Sequence, residues 1–208
     1  MLKPTALIFI LVSTIVSATA LADEKNLTEN LNFSPSAADS ALPEGVDPDT
    51  GFRMGRYRAA VPDSNPGTEV VDTKRAFELY DSGLVQFIDV YPPRGLGADP
   101  IDGNWMTNEV HESMPGATWL PEVGRGFVEQ EHIDYFERNL VQLTDADKTR
   151  PILFYCTSDC WQSWNAARRA LQWGYKTVFW YPPGTDGWQQ AGHPLVVLEP
   201  VNFFGDSN

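Results

Sequence analysis

Three short apolar runs constrain the fold of this 208-residue chain more than any other feature: Val85-Gln86-Phe87-Ile88-Asp89-Val90, Ile152-Leu153-Phe154-Tyr155 and Thr177-Val178-Phe179-Trp180. Each is nearly continuous in apolar character instead of alternating, as expected of a strand covered on both faces. Each is also too short for a buried helix. Pro92-Pro93 ends the first run abruptly. Between the runs the apolar spacing changes to that of a helix. Gln130–Leu143 carries Ile133, Phe136, Leu140 and Leu143, and residues 163–173 carry Ala166, Ala167, Ala170 and Leu171, with Gly174 as the stop. Upstream, residues 68–71 are β-prone. Asp72 or Thr73 can cap a helix bearing Ala76, Phe77, Leu79 and Tyr80, which Ser82-Gly83 ends. Residues 116–120 supply a further strand. Strands alternating with helices predict an α/β fold, a mainly parallel sheet with helices on both faces. Residues 94–113 read as loop, and Gly184-Thr185-Asp186-Gly187 reads as a turn that lacks the lysine and spacing of a phosphate loop.

The start of the chain has a different character. Lys3 is followed by an apolar run from Ala6 to Val16 broken only by Ser13 and Thr14, then by the small-residue stretch Ser17-Ala18-Thr19-Ala20-Leu21-Ala22. That pattern predicts a signal peptide over residues 1–22, because the apolar run is shorter than the roughly 20 residues that span a bilayer. Residues 23–65, rich in Asn, Ser, Asp, Pro and Gly, read as an extended N-terminal segment. Within it Gly51-Phe52-Arg53-Met54-Gly55-Arg56-Tyr57-Arg58 is more basic and aromatic, and is expected to lie against the domain. The domain itself is placed at 66–200, with a tail over 201–208.

The formal charge is −13. Losing residues 1–22 removes one lysine and no acid, which gives −14. A chain this acidic repels phosphate backbones and anionic membrane surfaces, so neither nucleic acid nor, after signal cleavage, a membrane is an expected partner. Small molecules and basic protein surfaces remain. His111, His132 and His193 are scattered without ligand spacing, and no metal site is expected.

Both cysteines lie in one stretch, Cys156-Thr157-Ser158-Asp159-Cys160-Trp161, directly after the second apolar run. In parallel sheets the working site lies beyond the carboxyl ends of the strands, where this loop falls. A thiol just before a helix meets unpaired backbone N–H groups that stabilise a thiolate, so Cys156 is a candidate nucleophile. Asp159 opposes this by its charge and Trp161 by its bulk. Cys160 pairs with Cys156 only if the loop is tight. In the chain-entropy treatment so small a ring contributes about 2 kcal/mol, which suits a redox-active pair better than a structural staple. Around it, Trp161 and Trp164 could wall the thiol, although aromatics at a helix start more often pack in the core, and Ser163 is expected in the same pocket. Asp89, at the end of a buried strand, is either a base or a carboxylate accepting backbone N–H groups. Arg168 and Arg169 could steer an anion or form a solvated face.

The ordered landmarks Phe87-Ile88-Asp89-Val90, Met114-Pro115-Gly116-Ala117, Phe154-Tyr155-Cys156, Ala166-Ala167, Gly174-Tyr175 and Gly187-Trp188 through Pro194-Leu195 resemble a rhodanese domain. Cys160-Trp161 with Ser163-Trp164-Asn165-Ala166-Ala167, Trp119-Leu120-Pro121 and Gly124-Arg125-Gly126 resembles, more narrowly, the exported rhodanese-like family named for a CXXCW motif and associated with PQQ-dependent catabolism. The resemblance implies a rhodanese-like fold with Cys156 at the nucleophile position. It also implies a periplasmic accessory to PQQ-dependent alcohol oxidation, with the quinone reached through a partner and not bound directly. Its partner would be a quinoprotein alcohol dehydrogenase system or a periplasmic redox protein. Active members close the loop with a cation where this chain has Trp161, which moves the expectation from sulfur transfer to Cys156/Cys160 thiol-disulfide chemistry. A Cys156 persulfide sulfurtransferase and a non-catalytic partner- or cofactor-binding module are the alternatives.

Overall fold

The computed structural model describes residues 30–205 apart from residue 39. The expected signal peptide lies outside the described residues. The elements run β1 (Glu69–Val70), α1 (Thr73–Ser82), β2 (Gln86–Asp89), β3 (Gly95–Ala98), β4 (Trp105–Thr107), β5 (Glu112–Ser113), β6 (Thr118–Trp119), α2 (Gln130–Leu143), β7 (Ile152–Tyr155), α3 (Trp161–Gln172), β8 (Val178–Tyr181), α4 (Gly184–Gln190) and β9 (Val196–Val197).

The fold is α/β, as expected: β1, β8, β7, β2 and β6 form, in that order, one parallel sheet. The three apolar runs are its three inner strands, and all four residues of β7 and of β8 are buried. Register explains why the runs do not alternate. Ile88, Phe154 and Trp180 stand side by side and belong to one core with α2 and α3, through Phe136, Leu140, Ala166 and Ala170. Phe87 and Tyr155 point the other way and meet edge to face; Tyr80 of α1 packs edge to face on Phe87 and, in turn, on Trp188 of α4. Either face alone would have given a period of two; helices on both faces erase it.

Local chemistry sets the ends of α1. Asp72 accepts the Arg75 N–H at its N-terminus, and Gly83 takes the left-handed conformation at its C-terminus (φ 67°).

Two expectations need correction. Residues 94–113 are not plain loop: β3 and β4 form an antiparallel hairpin whose register shifts between Gly95 and Gly97, and β5 pairs with β9. Strands this short and glycine-rich carry no readable alternation. Gly184-Thr185-Asp186-Gly187 is the start of helix α4 instead of a free turn. Its position is set by a long-range contact, Thr185 N–H to the Cys156 carbonyl at 2.9 Å, which local residue preferences do not reveal.

Burial pushes the pKa of several tyrosine hydroxyls up, among them Tyr135, Tyr155, Tyr175, and Tyr181 to about 12. The folded chain therefore holds these protons after the unfolded chain, titrating near the ordinary value of roughly 10, has released them. Their contribution is complete below that pH and is lost as pH climbs through the folded values. We expect the urea midpoint to fall steeply between about pH 10 and 12; a flat midpoint across that window would contradict it.

Candidate functional site around the cysteine loop

Strand β7 lies at the centre of the sheet, and its chain continues directly into Cys156. The next four residues turn back to Cys160, which stands at the N-terminal cap of α3. Asp159 makes the turn with a left-handed backbone (φ 53°), a conformation that Asp tolerates better than most residues. The result brings the two Cα atoms to 6.2 Å, and Cys156 and Cys160 are joined as a disulfide. That separation is within the usual disulfide range. Cys156 is fully buried and Cys160 nearly so.

Each neighbour predicted from the sequence has a definite place. Ser158 donates both its N–H (2.9 Å) and its hydroxyl (2.6 Å) to Asp186 of α4. Thr157 receives the guanidinium of Arg58 on its hydroxyl. Asp159 is exposed and its carbonyl accepts the Ala59 N–H at 3.1 Å. Ser163 is buried, donates to the Cys160 carbonyl (3.1 Å) and accepts the indole N–H of Trp180 (3.0 Å). Trp161 and Trp164 are core residues, with indole N–H groups donated to the carbonyls of Ala60 and Ser64, each at 3.0 Å.

These last contacts come from residues 57–65, which run over the loop as a strap. Its Tyr57 carbonyl accepts the Trp161 N–H at 2.8 Å, so one of the free amides expected at the start of α3 already has a partner. Arg58 and Cys160 form a bridge, and Asn65 donates to the Trp164 carbonyl at 3.0 Å. Arg53 lays its guanidinium over the Trp161 ring, 5.0 Å from the centroid. The basic stretch noticed in the sequence thus reaches the site, though its residues were not among the expected site residues.

Asp89 sits apart from the sulfurs. It pairs in register with Tyr155, the residue before Cys156, so its side chain projects from the face of the sheet opposite the one shared by Ile88, Phe154 and Cys156. There Asp89 Oδ1 accepts the Tyr91 N–H at 2.8 Å, as one sequence reading expected. Its Oδ2 also accepts His111 Nε2–H at 2.7 Å and the Ser113 hydroxyl, leaving the Tyr155 hydroxyl to donate to Ser113 at 2.8 Å. His111 is stacked on Tyr91 and tilted against Trp119, at centroid distances of 4.6 and 4.3 Å. Sequence reasoning missed His111 and Ser113 because only the pairing of β5 with β9 brings them under the sheet.

Arg169 is buried on α3, with its guanidinium donated to the carbonyls of Val123 (2.7 Å) and Arg125 (2.9 Å), and burial lowers its pKa to about 10. It fixes the 122–126 loop. Arg168 donates to the Pro66 carbonyl at 3.3 Å, which ties it to the chain just upstream of β1. Among the described residues no group of three or more His, Cys, Asp or Glu is placed to hold a metal ion, and no helix is long and apolar enough to cross a membrane.

Beside the loop opens a cleft of about 770 Å³. The strap, Tyr91 to Arg94, Glu122, Arg125, Thr157 and Asp186 form its walls.

Comparison with solved structures gives an uncharacterised protein from Saccharomyces cerevisiae (19% identity, 60% of this chain and 93% of that one, TM-score 0.39). It also gives a thiosulfate sulfurtransferase from Pseudomonas aeruginosa (17% identity, 64% of this chain and 21% of that one, TM-score 0.43). A third is a polysulfide-sulfur transferase homodimer from Wolinella succinogenes (16% identity, 64% and 80%, TM-score 0.41). Comparison with curated proteins gives no match. The model of the rhodanese-like domain matches residues 72–191, more than half of the chain, including both cysteines, Asp89 and α4. The chain belongs to the rhodanese-like domain family.

Proposed function

We propose that this chain is an exported, periplasmic thiol protein, accessory to PQQ-dependent alcohol oxidation, in which Cys156 and Cys160 cycle between disulfide and dithiol. The observation that carries the redox reading is the disulfide at the end of the central strand, which contains both cysteines of the chain. A five-residue ring adds little to stability, so its position at the site argues for chemistry.

In the exchange a partner thiolate attacks one sulfur, the S–S bond breaks, and the other cysteine leaves as a thiolate that takes up a proton. A second partner thiol then displaces the mixed disulfide. The partner dithiol loses two electrons and two protons to become a disulfide, and Cys156 and Cys160 end as two thiols. The export-like residues 1–22, the acidic mature chain and the resemblance to the CXXCW family support the periplasmic, PQQ-linked setting. The quinone belongs to the partner in this reading, and no residue here is assigned to hold it. A quinoprotein alcohol dehydrogenase system or a periplasmic redox protein is the partner proposed.

Membership of the rhodanese-like family favours a second reading, sulfur transfer through a Cys156 persulfide. It requires the disulfide to open first, since Cys156 is already bonded to Cys160.

One experiment separates the two. The folded protein is equilibrated in graded dithiol and its free thiols are counted by mass spectrometry. We expect both thiols to appear together in one transition while the fold persists. Cysteines free in oxidising buffer, or a bridge that opens only on unfolding, would defeat the redox reading. Pre-reduced protein incubated with thiosulfate tests the alternative: an adduct one sulfur atom heavier, lost in Cys156→Ser and kept in Cys160→Ser, would favour sulfur transfer.

A further inference from the structure

The cleft beside the disulfide is cationic in a chain of net charge −13. Arg56, Arg58, Arg94 and Arg125 reach it from three separate segments, against two acids, Glu122 and Asp186. Both acids are already engaged: Glu122 is ion-paired with Arg125, and Asp186 receives the Ser158 N–H and hydroxyl. Arg94 faces Glu109 at 3.8 Å. Arg58 is held by the neutral hydroxyl of Thr157, which leaves its charge unopposed, and neither it nor Arg56 is in an ion pair among the described residues.

Two further observations point to a ligand. Gln162 lines the same cleft, is buried, and its side-chain oxygen has no hydrogen-bond partner. A buried polar atom left alone is costly and calls for a partner. Arg56 is held in the left-handed backbone region (φ 52°), where a residue with a side chain is uncommon. Local strain of this kind is retained where the surrounding structure imposes it, often at binding sites. The volume, about 770 Å³, is within the roughly 300–1,000 Å³ of small-molecule sites. Tyr57, Tyr91, Pro92 and Pro93 supply flat apolar walls between the charges.

We propose that this cleft binds a small organic polycarboxylate, with Arg56 and Arg58 taking the carboxylates that no internal acid neutralises and Gln162 accepting a hydroxyl or N–H of the ligand. Arginine suits this task because its planar fork meets a carboxylate with two parallel hydrogen bonds. Arg56 and Arg58 precede the family-matched segment 72–191, whereas Arg94, Arg125 and Gln162 lie within it, so the site joins the two parts of the chain. It does not depend on whether the disulfide turns over.

Citrate is the probe, titrated calorimetrically into the oxidised protein, with acetate at matched ionic strength as the reference. We expect saturable citrate binding at least tenfold tighter than acetate. Arg58→Gln should weaken it roughly tenfold, the loss of one charge-assisted pair. Arg56→Gly should do the same while leaving the thermal midpoint equal or higher, because glycine accepts the left-handed backbone. That variant separates lost binding from lost folding. Lys74→Gln, exposed on α1 away from the cleft, should bind citrate like the parent. The proposal is overturned if citrate binds no better than acetate, or if folded Arg56→Gly and Arg58→Gln both bind citrate unchanged.

Discussion

Replacing Asp89 with alanine is expected to cost about 3–5 kcal/mol, as a drop in urea midpoint with an unchanged slope. The carboxylate is fully buried and accepts three donors at once: the Tyr91 N–H, His111 Nε2–H and the Ser113 hydroxyl. Alanine leaves each donor in a dry site with nothing to accept it, and each orphaned buried group costs about 1–3 kcal/mol, not additively. The damage spreads further, because Ser113 in turn carries the buried Tyr155 hydroxyl at the end of β7. Asp89→Asn should be milder, since its carbonyl oxygen can still accept from one or two of the donors. A loss below about 1 kcal/mol in the alanine variant would show that the carboxylate is dispensable to the fold.

Gly184→Ala is expected to destabilise by a similar amount, about 3–5 kcal/mol, and also to act on the cysteines. A Cβ built at Gly184 lies 2.1 Å from the Cys156 carbonyl oxygen, and the residue has φ 56°. Steric overlap and backbone strain therefore add. Relief requires α4 to move away from the loop, which breaks the Thr185 N–H to Cys156 contact and pulls Asp186 from Ser158. The loop then loses two of the holds that keep it closed. Urea unfolding measures the first effect. Thiol counting at a fixed dithiol concentration measures the second, as a larger reduced fraction than in the parent. A midpoint and thiol count both equal to the parent's would refute the clash.

The sequence reveals some parts of this architecture and hides others, for identifiable reasons. The central strands are legible because a parallel strand covered on both sides is mostly apolar: β7 and β8 are so throughout, and β2 departs only at Gln86 and Asp89. Helix α2 appears at its predicted bounds because Phe136 and Leu140 repeat on one face. The cysteine pair is legible because the chain has only two cysteines, four residues apart. What remained hidden depends on long-range contact. His111 and Ser113 lie 22 and 24 residues from Asp89. Arg169 resembles any surface arginine on a helix until Val123 and Arg125 turn their carbonyls toward it. Arg58 meets Thr157 across 99 residues, and the only sign in the sequence was a basic, aromatic stretch inside an acidic segment.

The strap over the cysteine loop behaves as a ligand that the chain supplies to itself. Tyr57, Ala59, Ala60 and Ser64 make hydrogen bonds with Trp161, Asp159 and Trp164 that a docking peptide would otherwise make. A segment joined to its own receptor by only a few residues acts at an effective concentration on the order of millimolar. A macromolecule that reaches the sulfurs along this face competes with that tethered occupant, so its measured affinity is its intrinsic affinity reduced by the strap's hold. A fragment that begins at the family boundary, residue 72, lacks the competitor. Affinities measured on the fragment and on the whole chain would then differ by the strength of the tether, which makes residues 57–65 a setting for how tightly the loop can be gripped.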